Sequence, residues 1–285
     1  MVSNPRRSRT GIEKIGECRV MCFENYYNKL KESKNNISYW LPKVEDCGIK
    51  MPLTKIFEIP QNVVYQFSCV DDKSRRQEAF DTIYNWVKEE VVPNLPRKLT
   101  TLCFIKNGAF SNKFNFKSCA SGGNTLDITQ SLVEINYMSL MYDTDGMTEF
   151  AIRERIRYNH ETTPCIYNGM PLQNEYRIFY DFDNKKPLYI VNYWDWDYCY
   201  ESISRKYTDK IIYEHTYPKL KEHYENNKDK VMQFVHEHMQ NVQGLDGIWS
   251  VDILEDMDNE YWLIDMAEGH RSAYWNPDKV KECAE

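Results

Sequence analysis

Residues 251–269, VDILEDMDNEYWLIDMAEG, decide the fold. Two apolar runs, Ile248 to Leu254 and Glu260 to Met266, flank the acidic Glu255, Asp256, Met257, Asp258 and Asn259. That pattern predicts two antiparallel strands joined by a short turn. Asp252 then lies in the first strand, Asp265 in the second, and Glu268 three residues further on. About this turn the two aspartates are offset diagonal neighbours, and a modest register shift or bulge would bring them to one face. Converging carboxylates repel unless a cation sits between them, and hard oxygen ligands suit Mg²⁺ bridging to phosphates. The plain alternative is an exposed hairpin that merely carries acids.

Upstream, Leu102 to Lys106 reads as a strand and Lys113 to Lys117 as its hairpin partner, so Lys106 and Lys113 flank the loop Asn107 to Asn112. Backbone N–H groups, the Ser111 hydroxyl and two ammonium groups there suit a polyphosphate. This is no Walker A loop, because GxxxxGK[ST] does not occur. Phe150 to Ile156, Glu175 to Asp181 and Leu188 to Trp194 read as a β-meander, with Asp183, Asn184 and Lys185 as one of its turns. Glu175 and Arg177 alternate onto one face, which must be solvent or a polar cleft. In FAIRERIRY, Arg153 and Arg155 share one face while Ile152, Glu154 and Ile156 share the other. An apolar wall with polar edges suits adenine, although an ordinary half-exposed strand has the same pattern.

Helices are expected over Glu24 to Glu32, just after Trp40 with Gly48 as a stop, over Asp71 to Val91 and over Leu126 to Met141. The charged run Tyr207 to Gln240 is expected to split at Pro218.

Composition narrows the field. The 285 residues are 42% hydrophobic, enough for a sizeable core. No apolar run approaches the roughly 20 residues that cross a bilayer. Arg6, Arg7 and Arg9 lead into polar sequence without a secretory apolar stretch, so a cytoplasmic protein is expected. Nine scattered cysteines without paired CxxC spacing suggest neither a disulfide framework nor a zinc ribbon, and Cys18 with Cys22 lacks a matching second pair. A formal charge of −7 argues against a nucleic-acid footprint.

Taken in chain order over roughly residues 38–275, these pieces resemble the ATP-grasp superfamily. WLPKVEDCGIKMPLTKIFEIP resembles its opening segment, FIKNGAFSNKF its lysine strand and phosphate loop, FAIRERI its adenine-hinge strand, EYRIFYDF its central basic strand, and the closing hairpin its metal site. The layout is also similar to a eukaryotic assembly chaperone for translation initiation factor two. The resemblance implies an α+β fold in which two lobes hold ATP between antiparallel sheets. The expected organisation is an N-terminal helical or flexible segment over 1–37, a lobe over 38–145 with the lysines, and a lobe over 146–285 with the hinge strand, central strand and metal hairpin. By the resemblance Lys106, Lys113 and Ser111 would hold phosphates, and Glu154, Arg155 and Ile156 would border adenine. Arg177 would stabilise the transferred phosphate, while Asp252 and Asp265 would bind Mg²⁺. The family ending acid-x-Asn is here Asp265, Met266, Ala267, and alanine cannot ligate a metal, so either Glu268 substitutes from one residue further on or the second Mg²⁺ is weak or absent, which bears on turnover more than on ATP binding.

Two functions compete. One is an ATP-dependent ligase that activates a small-molecule or peptide carboxylate as an acyl phosphate for attack by an amine, with Arg271 and Ser272 seating the acceptor. The other is a non-catalytic ATP-binding factor that docks a protein partner through Trp194, Trp196, Tyr198 and Tyr200.

Overall fold

Two four-stranded antiparallel sheets carry the fold, and in each the alternation of side chains separates a helix-covered face from a polar one. The computed structural model describes residues 23–284 apart from Ala109, Asp143 and Asp145. The Arg6, Arg7, Arg9 cluster and the Cys18 and Cys22 pair lie outside the described residues.

The first sheet contains β1 (Thr54–Glu58), β2 (Cys103–Lys106), β3 (Ala120–Ser121) and β4 (Glu149–Glu154), in the order β1-β4-β2-β3. Cys103 and Ile105 of β2 and Phe150 and Ile152 of β4 are fully buried in one cluster with Ile83 and Val87 and with Ile128, Leu132 and Ile135 of the helix Thr125–Met141. Burying each large apolar side chain contributes about 1.5–3 kcal/mol. The intervening Lys106 and Arg153 therefore project from the other face. The helix Thr125–Met141 starts where the Asn124 side chain accepts the Asp127 N–H at 3.0 Å, an ordinary N-cap.

A short two-stranded ribbon, β5 (Cys165–Ile166) and β6 (Met170–Pro171), precedes the second sheet. That sheet contains β7 (Glu175–Asp181), β8 (Lys186–Asn192), β9 (Ile248–Glu255) and β10 (Tyr261–Glu268), in the order β10-β9-β7-β8. Tyr176, Ile178, Val251, Ile253, Leu263 and Met266 pack with Val231, Val235 and Met239 of the helix Tyr207–Met239 and with Trp40 of the helix Ile37–Val44. On β10 the register slips between Leu263 and Asp265, so Ile264 is the extra residue of a bulge.

Three sequence expectations need correction. Lys113 to Lys117 is not a strand: Lys113–Asn115 is a 3-10 turn and Phe116–Cys119 a short helix. Asn112 adopts φ 45°, which turns the chain away from the sheet, and Ser118 then donates to the Asn115 carbonyl at 2.8 Å. Such local side-chain bonds compete with a ladder. The second partner of β2 is instead β4. The meander is also broken, because β4 joins β1 and β2 in the first sheet while β7 and β8 belong to the second. Finally, Tyr207–Met239 is one helix of 33 residues with Pro218 inside it. An interior proline costs about 3 kcal/mol, and buried anchors on both sides of it, Tyr213 before and Leu220, Val231 and Val235 after, outweigh that cost.

Among the described residues no helix is long and apolar enough to cross a membrane.

Candidate functional site

The hairpin bulge puts the two aspartates in register: Asp265 faces Asp252 across β10 and β9, and Asp252 faces Arg177 across β9 and β7. Arg177, Asp252 and Asp265 thus form a row across three strands on the face turned away from the apolar core. Arg177 donates from Nε and Nη2 to the two Asp252 oxygens, both at 2.7 Å, and both residues are buried. This bidentate pairing holds the guanidinium charged: burial alone would lower its pKa, but Asp252 outweighs burial and raises it.

The first sheet supplies the opposing cations. The Lys106 ammonium lies 2.5 Å from Asp265 Oδ1, and with only 3% of the residue exposed, burial lowers its pKa despite the aspartate. Lys113, at the start of the 3-10 turn, reaches Glu175 Oε1 at 3.0 Å and the Tyr193 hydroxyl at 3.3 Å. Burial would lower the Lys113 pKa, and Glu175, Tyr193 and Asp252 together raise it above the ordinary value. Arg153 donates from Nε to Thr54 and from Nη1 to the Ile264 carbonyl, while its buried Nη2 has no protein partner. Glu175 Oε2 is likewise buried and unpartnered. Among these contacts four cations, Lys106, Lys113, Arg153 and Arg177, stand against three carboxylates, Asp265, Glu175 and Asp252.

Two cavities meet at this cluster. The first, of about 100 Å³, is a narrow slot walled by Phe104, Phe116, Ile156, Leu254 and Ile264, with Glu154 and Arg155 at its edge. The second, of about 310 Å³, contains Arg177 and Arg271. Lys106, Ser111, Lys113 and Asp265 line both. Together they offer an apolar compartment beside a cationic one, the composition of a small-molecule site. Arg155 sits with its guanidinium carbon 5.4 Å from the Phe116 ring centre, and Glu154 is paired with Lys98 at 2.6 Å.

The structure gathers Lys106, Ser111, Lys113, Glu154, Arg155, Ile156, Arg177, Arg271 and Asp265 around these cavities. Glu268 lines neither: its backbone N–H donates to Asn35 Oδ1 at 2.8 Å, and its carboxylate is 3.4 Å from the Asn35 amide nitrogen. Asn35 in turn abuts Gly108, where a Cβ would fall 2.4 Å from the Asn35 carbonyl oxygen, so the lysine loop can lie here only as glycine. The walls Phe104, Phe116 and Leu254 escaped the sequence reading, and Arg153, read there only as sharing a face with Arg155, was not expected in the site. The signal for it was its alternation with the apolar Ile152, which sets the two on opposite faces.

Among the described residues there is no group of three or more His, Cys, Asp or Glu side chains able to hold a metal ion. Asp252 is closed to a metal in this arrangement, since Arg177 takes both its oxygens. Asp265, half-buried and bound through one oxygen to Lys106, is the one carboxylate of the row with room for another partner. The two aspartates do not form a ready two-carboxylate Mg²⁺ site. Trp194 is core, Trp196 stacks on Tyr200 and Tyr213, and only Tyr198 of the four aromatics of that stretch is exposed.

No protein family's sequence profile matches the chain, and no curated protein sequence does. Solved structures similar to it include ligases. They include VanG D-Ala:D-Ser ligase from Enterococcus faecalis, with 10% identity and a TM-score of 0.34 over 87% of this chain and 57% of the other. The D-alanyl-alanine synthetase A of Vibrio cholerae has 11% identity and a TM-score of 0.35 over 89% and 61%. The ATP-grasp ligase PsnB, complexed with precursor peptide PsnA2 and AMPPNP, has 9% identity and a TM-score of 0.30 over 88% and 56%. The chain therefore spans less than two thirds of these ligases. At such scores the likeness carries no argument about activity, which rests on the cleft itself.

Proposed function

We propose that the cleft binds ATP, with adenine in the slot beside Glu154, Arg155 and Ile156 and the phosphates at Lys106, Ser111 and Lys113. The observation that carries this is the junction of an apolar slot and a cationic chamber at two lysines and a serine. A cluster of four cations and an unpartnered Arg153 Nη2 at the same place suit a polyanion. Bound ATP would supply the phosphoryl group that activates a carboxylate for attack by an amine. The chain's own part is electrostatic: Lys113 and Arg177 hold charge at the chamber end of the phosphates, and Arg271 orients the carboxylate. Asp265 is the residue that could take Mg²⁺ with the nucleotide, whereas Asp252 serves to fix Arg177. The lobes over 38–145 and 146–285 and a cytosolic location belong to the same proposal.

The test is nucleotide binding by thermal shift with ATP or a non-hydrolysable analogue and Mg²⁺. At a hundredfold excess over Kd, stabilisation of about 2.7 kcal/mol is expected. Asp265→Asn is expected to remove the Mg²⁺ dependence of that shift. A chain that ATP leaves unshifted at millimolar concentration is no nucleotide-binding protein.

One observation favours the second reading, binding without turnover: Asp252 is sealed by Arg177, and Ala267 stands where a further ligand is expected. In that case ATP stabilises the chain, but added carboxylates and amines release no phosphate, and the ligand-bound form docks a protein partner.

A further inference from the structure

The chamber beyond the lysines carries more aromatic surface than a phosphate site requires. Phe114 and Tyr198 line it and are exposed, and Tyr274 packs against Tyr198 with ring centres 4.1 Å apart. Phe114 meets Tyr167 edge-on at 5.3 Å, so an open aromatic wall stands on more than one side. Tyr274 holds φ 67°, a conformation a bulky residue adopts only under constraint, and its hydroxyl donates to the Tyr193 carbonyl at 2.6 Å. The hydrogen bond to Tyr193 holds the ring at the cavity wall and the backbone in that conformation.

Polar groups converge on the same chamber. Lys113 and Arg177 lie 4.4 and 5.1 Å from the Tyr193 ring centre, on the side nearer the lysine junction. Asn112 lines the chamber with 1% of its surface exposed, and its Oδ1 is buried without a partner. A buried acceptor left bare is costly unless a ligand donor meets it.

From these features, and resting on the proposed ATP site, we infer that the chamber is the acceptor site for a carboxylic acid that bears an aryl side chain and an N–H donor. The carboxylate lies toward Arg271, beside the Lys113 and Arg177 end of the chamber, the aryl group against Phe114, Tyr198 and Tyr274, and the N–H group meets Asn112 Oδ1. An aromatic amino acid or the C-terminal aromatic residue of a peptide has this chemistry. Tyr198, Ser272, Ala273 and Tyr274 line both the chamber and an outer groove along β8, which would be the path of a longer peptide chain.

The experiment uses the full chain with AMP-PNP and Mg²⁺, to which L-phenylalanine, 3-phenylpropionate, L-alanine or Gly-Gly-Phe is added and binding is followed by calorimetry. Phenylalanine or Gly-Gly-Phe is expected to bind at least tenfold more tightly than alanine, and 3-phenylpropionate more weakly than phenylalanine for want of the N–H donor. Preference for phenylalanine over Gly-Gly-Phe identifies a free amino acid as the source, and the reverse identifies a peptide. Phe114→Ala and Tyr198→Ala, both at exposed positions, are expected to weaken the aromatic ligand roughly 2- to 10-fold while leaving AMP-PNP affinity unchanged. Alanine binding as well as phenylalanine, or no acid binding while AMP-PNP does, overturns the inference alone. Failure of AMP-PNP to bind removes the ATP site and the inference with it.

Discussion

The two sheets solve the same problem of a charged face in opposite ways. The first contributes cations to the cleft, Lys106 and Arg153, and keeps its helix side neutral with Cys103, Ile105, Phe150 and Ile152. The second sheet places Arg177, Asp252 and Asp265 side by side on its own surface and balances much of that charge internally. Lys106 thus depends on an acid from the other sheet, whereas Arg177 does not. The charge arrangement of the second sheet is formed within one sheet, while the lysine side of the site exists only when the sheets meet.

Variants test that contrast. Arg177→Ala leaves Asp252 buried beside no cation, and a loss of about 3–5 kcal/mol in urea unfolding is expected. A loss under about 1 kcal/mol would mean the second sheet is not internally balanced. The neutral side of the first sheet can be read from its thiols. Burial pushes the Cys103 pKa up to about 11 and that of Cys119 up to about 12 from the usual 9.0. A folded pKa raised in this way contributes stability that is complete below pH 9 and is lost as pH rises through the folded values. Iodoacetamide at pH 9 should therefore alkylate these two cysteines roughly a hundredfold more slowly than unfolded chain. Equal rates would show the inner face open to water.

Asp265→Ala strips Lys106 of its carboxylate but leaves the Asp265 position partly open to water, so about 1–3 kcal/mol is expected, less than for Arg177→Ala. Reversal of that order would mean the bond between the sheets dominates. At the rim, Lys98→Ala breaks an exposed pair with Glu154, and about 0.2–1 kcal/mol is the expected cost.

Much of this was legible in residues 251–269, because alternation sets which side chains share a face and the acidic turn sets where the strands fold back. The need for a bulge between Asp252 and Asp265 followed from the same count, although its place at Ile264 did not. Glu175 and Arg177 were legible as a face that had to be polar, but their partners Lys113 and Asp252 come from 62 and 75 residues away, which no local pattern encodes. The failed strand at Lys113 to Lys117 has a local cause: a left-handed Asn112 is not visible in a pattern of apolar and basic residues. Pro218 misled for the opposite reason, since packing along the whole helix overrode a strong local rule. The aromatic chamber was unreadable because Phe114, Tyr198 and Tyr274 come from three segments of the chain far apart in sequence.

The extra residue on β10 makes the hairpin sensitive to length everywhere but at the bulge itself. Deleting Ile264 would leave Leu263 opposite Ile253 and Asp265 opposite Asp252, a regular ladder in which the aspartates keep the polar face and Met266 the apolar one. Loss of Met266 would instead move Ala267 and Glu268 each to the opposite face, and should be tolerated far less well. Descendants of this chain should therefore vary in length along this strand at position 264 before any other.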